Sequence, residues 1–408
     1  MSEEKLVPKL RFSGFDDEWK ISNLGKISSD EMYGMNSAAK EYDGTNKYIR
    51  ITDISEASNK FVPNPLTSPD GNLDDKYKLK RGDIVFARTG ASTGKTYLYN
   101  ENDGNLYFAG FLIKFHIDKA DPKFIFYNTL KDEYLNWVSV MSVRSGQPGI
   151  NSNEYTKLPL YLPSIDEQNK ISKFLNKIDE KIQLLENKHI YYQNFKKYLM
   201  QQIFAQKLRF NKTSEWETYS LNDIGETYNG LSGLSKDNFE KGNSKYITYK
   251  SIFDNNILKS DFTENVELNN KSQNEVKKGD LFFTGSSETP EEVGMVSVLN
   301  QNVKDCYLNS FCFGFRLNNE ININPLFLAY YLRSPIMRNK IMILAQGSTR
   351  FNLSKKEILK LKIEIPSINE QQQVIDLFQS VDNKINEISI QTNKFNEFKK
   401  GLLQQMFV

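Results

Sequence analysis

Two hexapeptides decide how this chain is organised: PSIDEQ, from Pro163 to Gln168, and PSINEQ, from Pro366 to Gln371. From Pro163 to Pro366 is 203 residues, and the same shift persists to the end of the sequence in Asp179/Asp382, Lys181/Lys384, Ile182/Ile385, Gln201/Gln404, Gln202/Gln405 and Phe204/Phe407. Working outward, Lys9-Leu10-Arg11-Phe12 returns as Lys207-Leu208-Arg209-Phe210, and Glu18-Trp19 as Glu215-Trp216. LKRGDIVF, with Gly82-Asp83, returns as VKKGDLFF, with Gly279-Asp280. A gapless constant segment therefore follows a variable body, twice. A repeat of roughly 200 residues is far longer than a solenoid unit and marks duplication of a whole domain with its extension.

The constant segment reads as a long helix. Ser164 with Glu167, and Ser367 with Glu370, have the spacing of a capping box, in which each side chain satisfies the other residue's unpaired backbone N–H. With no proline or early glycine to stop it, each helix continues to about Phe204 or Phe407, roughly 40 residues and ~60 Å. Ile171, Ile178, Leu185, Tyr192 and Leu199 stand seven apart, as do Val374, Val381, Ile388, Phe395 and Leu402. Leu175, Ile182, His189 and Lys196, and Phe378, Ile385, Thr392 and Lys399, supply the second position of a coiled-coil seam. Polar His189 and Thr392 read as register-setting residues rather than as a base or a ligand. Since the first helix leads from body one to body two and the second starts at body two, the pair runs antiparallel and gives the chain internal pseudo-twofold symmetry.

The bodies read as α+β. Strand-rich stretches are KYIRITDI (47–54), KYITYKSIF (245–253), DIVFA after the Gly-Asp turn, LYFAGFLIKFHI and CYLNSFCFGFRL. Asp121-Pro122 and Asn324-Pro325 are helix starts, a capping side chain before a proline. In the last strand Leu361, Ile363 and Ile365 alternate with Lys360, Lys362 and Glu364. The expected architecture is two α+β domains separated by a long antiparallel two-helix coiled coil: 1–163 and 207–366 for the domains, 164–206 and 367–408 for the helices.

Composition narrows the function. The 408 residues carry 53 Lys+Arg against 51 Asp+Glu, and neither half is strongly charged, so any basic surface is local. Two cysteines exclude a disulfide framework, and Cys306, Cys312, His116 and His189 do not make a zinc site by spacing. No apolar run approaches the ~20 residues that span a bilayer, and MSEEKLVPKLRF lacks the layout of a signal peptide. A cytoplasmic chain is the expectation. Enzyme signals fail on inspection. Gly90-Ala91-Ser92-Thr93-Gly94-Lys95-Thr96 has three residues between its glycines where a phosphate loop needs four, and it sits between strands. Pro69-Asp70 with Asp74-Asp75-Lys76 is too compact for a nuclease metal site and reads as a solvated turn. No Asn/Asp-Pro-Pro-aromatic stretch or S-adenosylmethionine loop is present. No catalytic and no metal-binding residues are assigned.

What remains is local basicity. Residues 76–95 carry Lys76, Lys78, Lys80, Arg81, Arg88 and Lys95 against Asp83 alone, and 333–362 carry Arg333, Arg338, Lys340, Arg350, Lys355, Lys356, Lys360 and Lys362 against Glu357 alone. Such clusters neutralise phosphates, although a solvated face has the same composition. Arg88-Thr89, Arg144 to Gln147, and Gly347 to Asn352 hold the side chains that read base edges, Arg for guanine and Gln or Asn for adenine. The DNA-binding candidates are Lys80, Arg81, Arg88, Thr89, Lys95, Arg144, Gln147, Lys245, Arg350, Asn352 and Lys355.

The duplicated PSIDEQ/PSINEQ segment opening a long helix, the Gln-Gln-hydrophobic-Phe helix ends, the Gly-Asp turns and GSTRFNLS (347–354) together resemble the specificity subunit of Type I restriction-modification systems, over essentially the whole chain. The resemblance implies that each body reads one half of a split, asymmetric double-stranded DNA site, with a gap of unspecified bases between the halves. It implies partners: two modification subunits that methylate adenine N6 with S-adenosylmethionine, and two restriction subunits that use ATP and Mg. This chain would hold none of these cofactors. SGQPGINS (145–152) and GSTRFNLS differ at matching places, so the halves read different bases. The rival expectation is a coiled-coil scaffold with two protein- or glycan-binding domains, which binds no DNA.

Overall fold

The computed structural model describes residues 6–268, 272–318 and 321–408; the first five residues of the MSEEKLVPKLRF stretch lie outside them. The chain forms two compact units, one of residues 1–186 with 390–408, the other of residues 187–389.

In the first unit, Asp83–Ala87 is a wholly buried strand at the centre of a four-stranded sheet ordered Ser28–Tyr33, Leu112–Ile117, Asp83–Ala87, Thr96–Leu98. Successive residues of a strand point to opposite faces, and here both faces are covered. Ile84 and Phe86 enter the larger core with Trp19, Phe115, Phe124 and Tyr155, while Val85 and Ala87 join Ile49, Leu106 and Phe108 beneath. The second unit repeats the plan in a five-stranded sheet ordered Gly225–Asn229, Cys312–Leu317, Leu281–Thr284, Val296–Leu299, Ile257–Leu258. Leu281 and Phe283 face one core, Phe282 the other.

The Gly-Asp turns are structural. Gly82 and Gly279 adopt φ of 96° and 93°, a left-handed conformation that costs a residue with a Cβ. The following carboxylates are buried and caught from two sides. Asp83 accepts from the Lys80 amide at 2.9 Å and lies 2.7 Å from His116 Nδ1. Asp280 accepts from the Lys277 amide at 2.8 Å and is held by Arg316 at 2.8 and 2.7 Å. Burial pushes the Asp83 carboxyl above its ordinary range.

The repeated hexapeptides open helices Ile165–Phe204 and Ile368–Gln405. Only half of each expected capping box forms. Ser164 and Ser367 accept from the Glu167 and Glu370 amides at 3.4 and 3.5 Å, but the glutamate carboxylates are drawn to guanidinium groups. Arg11 grips Glu167 at 2.8 Å through both Nε and Nη2, and Arg209 grips Glu370 at 3.2 and 2.8 Å. A bidentate arginine pair outcompetes a single backbone N–H, which also gives the arginine of each KLRF its role. Gln168 and Gln371 complete the joint, accepting from the amides of Asp121 and Asn324, whose side chains cap the proline-led helices Pro122–Asn128 and Pro325–Leu332 as expected.

Each unit contains a segment of both long helices, and within each the two run antiparallel. Asp179 pairs with Lys399 and Lys181 lies over Phe395 in the first unit; Lys196 pairs with Asp382 and Phe204 stacks on Phe378 in the second. The seam residues do more than bind helix to helix. Ile171, Leu175, Ile178 and Ile182 are part of the first body's core, together with Leu402, Leu403, Met406 and Phe407. Leu199, Ile203 and Phe204 enter the second core with Val374 and Phe378. Phe407 stacks on Phe124 at 4.9 Å, and Phe204 meets Tyr331 at the same separation.

Two expected strands are shorter than their sequences. KYIRITDI is strand only over Lys47–Ile49, because the Asp53 carboxylate takes the Arg50 amide and guanidinium and winds Ile51–Asp53 into a 3₁₀ turn. KYITYKSIF leaves the sheet after Ile247, where Thr248 caps helix Tyr249–Asp254.

Candidate nucleic-acid interface

The central strand of each sheet ends beside a tight turn, and both units fix that turn by the same bonds. Ala109 to Leu112 is closed by the Leu112 amide on the Ala109 carbonyl at 2.9 Å, and Asn309 to Cys312 by the Cys312 amide on Asn309 at 3.0 Å. The Phe111 carbonyl accepts from the Arg88 amide at 3.1 Å, and the Phe311 carbonyl from Gly285 at 2.8 Å. Both rings project outward, 59% and 55% exposed.

In the first unit the Arg88 guanidinium lies 4.9 Å from the Tyr33 ring centre and 6.0 Å from that of Phe111. Thr89 bridges Gly149, and the Gly90 amide donates to Pro148 at 3.0 Å, so the loop 144–149 sits on the turn after the central strand. Gln147 is exposed there, its Nε2 3.0 Å from where a Cβ on Gly90 would stand. Arg144 is drawn back, bonded to both Glu154 oxygens at 2.6 Å and to the Met141 and Val143 carbonyls.

In the second unit strand Phe351–Leu353 pairs with Ser286–Ser287, and Asn352 faces Ser286 in that register. The Arg350 guanidinium lies 5.2 Å from the Phe311 ring centre and donates to Ser286 Oγ at 3.2 Å. Together with Tyr249 and Phe253 these residues line an open cleft of about 790 Å³, which also includes Thr349, Glu288 and Glu292. Cleft and turn offer a planar cation, hydroxyls, carboxylates and aromatic faces, the groups that recognise base edges and phosphates.

Other candidates lie elsewhere or are committed. Lys80 and Arg81 are exposed but precede the central strand, at the end away from Arg88, so the 76–95 cluster divides in two. The Lys95 side chain is only 12% exposed, bonded to the Ile54 carbonyl and Glu56. Lys245 pairs with Cys306 in its strand, three residues before the Asn309 turn. Lys355 donates to Asn229 Oδ1 beside the Phe313 ring, and burial lowers its pKa. The 333–362 cluster loses its two leading cations to the interior. Arg333 donates to the carbonyls of Ile252, Phe253 and Asn255, Arg338 to those of Gly294, Glu291 and Val293, and burial lowers both to about 10.

Sequence reading missed Tyr33, Phe111, Tyr249, Phe253 and Phe311. The available signal was the alignment of LYFAGF with CYLNSF, which puts an aromatic inside a turn in both copies. Among the described residues no group of three or more His, Cys, Asp or Glu side chains is placed to hold a metal ion, and no helix is long and apolar enough to cross a membrane.

A family model for the type I restriction modification DNA specificity domain matches residues 16–191 and again 213–394. A putative type I restriction enzyme specificity subunit, MjaX of Methanocaldococcus jannaschii, is 25% identical over 214 residues, 50% of this chain and 49% of its own. The MjaVIII specificity subunit of the same organism is 23% identical over 310 residues, 69% and 68% of the two chains. The match thus spans about half the length of the first relative and two thirds of the second. Among solved structures, a chain from a study of complex assembly and conformational transition in the type I R-M system superposes with a TM-score of 0.60 at 16% identity, covering 97% of this chain and 99% of that one. The type I restriction-modification S subunit from M. genitalium gives 0.57 at 14%, covering 98% and 99%. At such identities these two likenesses concern the fold.

Proposed function

Because the chain belongs to the type I restriction modification DNA specificity family, with two copies of its domain, we propose that it is the non-catalytic subunit that gives such an enzyme its DNA sequence specificity. Each body reads one part of a split, asymmetric double-stranded site. The chain places on that site two modification subunits, which transfer methyl groups to adenine N6, and two restriction subunits. S-adenosylmethionine, ATP and Mg²⁺ are held by those partners, in the cytoplasm.

The observation that carries this reading is the pairing of one scaffold with two different surfaces. The Gly-Asp turns, central strands and pinned phenylalanine turns correspond, while the groups gathered at them do not: Arg88, Tyr33 and Gln147 in one unit, Arg350, Ser286 and Glu288 in the other. Identical readers would select a symmetric site; unlike readers select an asymmetric one.

Long-read mapping of N6-methyladenine in the host genome, with the gene intact and deleted, tests it. Loss of one split, asymmetric motif on deletion is the expected result. Salt-independent, sequence-independent behaviour of the purified chain and its partners on DNA, with no motif lost, would favour the scaffold reading instead.

A further inference from the structure

We infer that in each unit the exposed phenylalanine of the pinned turn is a positioning residue for a base-reading arginine: Phe111, with Tyr33, holds Arg88, and Phe311, with Ser286, holds Arg350. The inference deepens the DNA reading above and rests on it.

A single exposed aromatic is ordinary on any protein surface. Here two occupy the same turn of a duplicated scaffold, each with its carbonyl tied to the end of the central strand and each beneath a guanidinium. The guanidinium groups come from different places in the sequence. Gly285 stands where Arg88 does, at the end of the central strand; Gln147 stands where Arg350 does, 203 residues earlier, and the Thr89–Gly149 bridge matches the Ser286–Asn352 pairing. The aromatic platform is kept while its cation changes position.

These arginines also differ from seven others in what their donors do. Arg11, Arg50, Arg144, Arg209 and Arg316 bind carboxylates, and Arg333 and Arg338 bind backbone carbonyls. Arg88 and Arg350 lie on aromatic faces with no carboxylate partner among the described residues, whereas Arg209 and Arg316, over Trp216 and Tyr228, are also held by Glu370 and Asp280. Stacking fixes the plane of the guanidinium and removes rotamer freedom in advance, leaving its N–H edge to meet guanine O6 and N7. The different origins of the two cations move that edge relative to the scaffold, so the two halves read different positions.

The test is selection from randomised duplexes by the full chain with its modification subunits, comparing wild type with Phe311→Leu, Phe311→Tyr, Arg350→Ala, Phe111→Leu and Arg88→Ala. Discrimination at one base pair of one half-site should fall about tenfold in Phe311→Leu and in Arg350→Ala, at the same position. Phe311→Tyr should retain it, and the other half-site, an internal control for folding, should be unchanged. Phe111→Leu and Arg88→Ala should coincide in the other half. Unchanged discrimination in Phe311→Leu, an equal loss in Phe311→Tyr, or different positions for Phe311→Leu and Arg350→Ala would overturn the inference while leaving the DNA reading intact. A wild-type complex that enriches no motif would remove the DNA reading, and this inference with it.

Discussion

Asp179 Oδ1 receives Lys399 Nζ at 2.6 Å, and the residues 203 positions away from each repeat the contact with the helices exchanged: Lys196 Nζ lies 2.5 Å from Asp382 Oδ1. Each carboxylate takes a second bond from a body tyrosine, Tyr127 on Asp179 at 2.7 Å and Tyr330 on Asp382 at 2.8 Å, and each lysine lies over that same ring. One aspartate thus ties both long helices to the body.

Removing the aspartate should therefore cost more than removing the lysine. Asp179→Ala strands the Tyr127 hydroxyl as well as Lys399, whereas Lys399→Ala leaves Asp179 its tyrosine. A thermal-denaturation double-mutant cycle should give a coupling of about 1 kcal/mol between Asp179 and Lys399. A coupling indistinguishable from zero would mean that the pair is no more than a surface contact.

Arg11→Met should destabilise more than its surface position implies. It leaves the Glu167 carboxylate, 1% exposed, without its bidentate partner, and an unpaired buried charge costs ~3–5 kcal/mol. The double variant Arg11→Met/Glu167→Met should recover most of the loss, as should Arg209→Met/Glu370→Met in the second unit. Denaturant titration decides; a double variant as unstable as the single one would refute the buried-charge account.

The two thiols should be silent in the folded protein. Burial pushes Cys306 up to about 11 and Cys312 to about 12, so neither supplies thiolate at pH 8. Iodoacetamide should label both on unfolding and neither before it. Because the unfolded thiols ionise near their ordinary value while the folded ones stay protonated, stability should fall as pH rises above about 9. A Cys306→Ala/Cys312→Ala variant should lose part of that slope.

Gly94 and Gly44 have nearly the same φ, 90° and 87°, but different surroundings. A Cβ on Gly94 would meet Val138 Cγ1 at 2.5 Å, and one on Gly44 would meet nothing within 4 Å. Both alanine variants should pay ~1–2 kcal/mol for the left-handed backbone, while Gly94→Ala should pay a further ~1–3 kcal/mol for overpacking. Equal melting temperatures would show that helix Asp132–Met141 yields freely.

The architecture was legible wherever a residue's role is local or periodic. The constant shift from Pro163 gave the duplication, heptads gave the long helices, and Asp121-Pro122 and Asn324-Pro325 gave helix starts that form as expected. Partner choice was less legible, because spacing cannot say which of two acceptable partners a side chain takes. Glu167 suits a capping box and is taken by Arg11, and Arg333 looks like a phosphate cation and is spent on four backbone carbonyls. The candidate interface suffered most. A basic cluster in sequence divides over the two ends of one strand, since five extended residues carry Arg81 and Arg88 far apart. The aromatics beneath Arg88 and Arg350 left only the faint signal of a repeated phenylalanine in a turn.

The first unit draws Leu402, Leu403, Met406 and Phe407 into its core, whereas the second is a continuous stretch of chain. Order of synthesis and order of completion are therefore reversed. As the polypeptide leaves the ribosome, residues 187–389 have all they need to close their core before residues 1–186 have received theirs. At ~5–20 residues per second the earlier-made body waits on the order of ten seconds or more, with Trp19 and Phe124 lacking the Phe407 ring that covers them. During that interval the nascent first body, rather than the second, is the one that needs protection from aggregation.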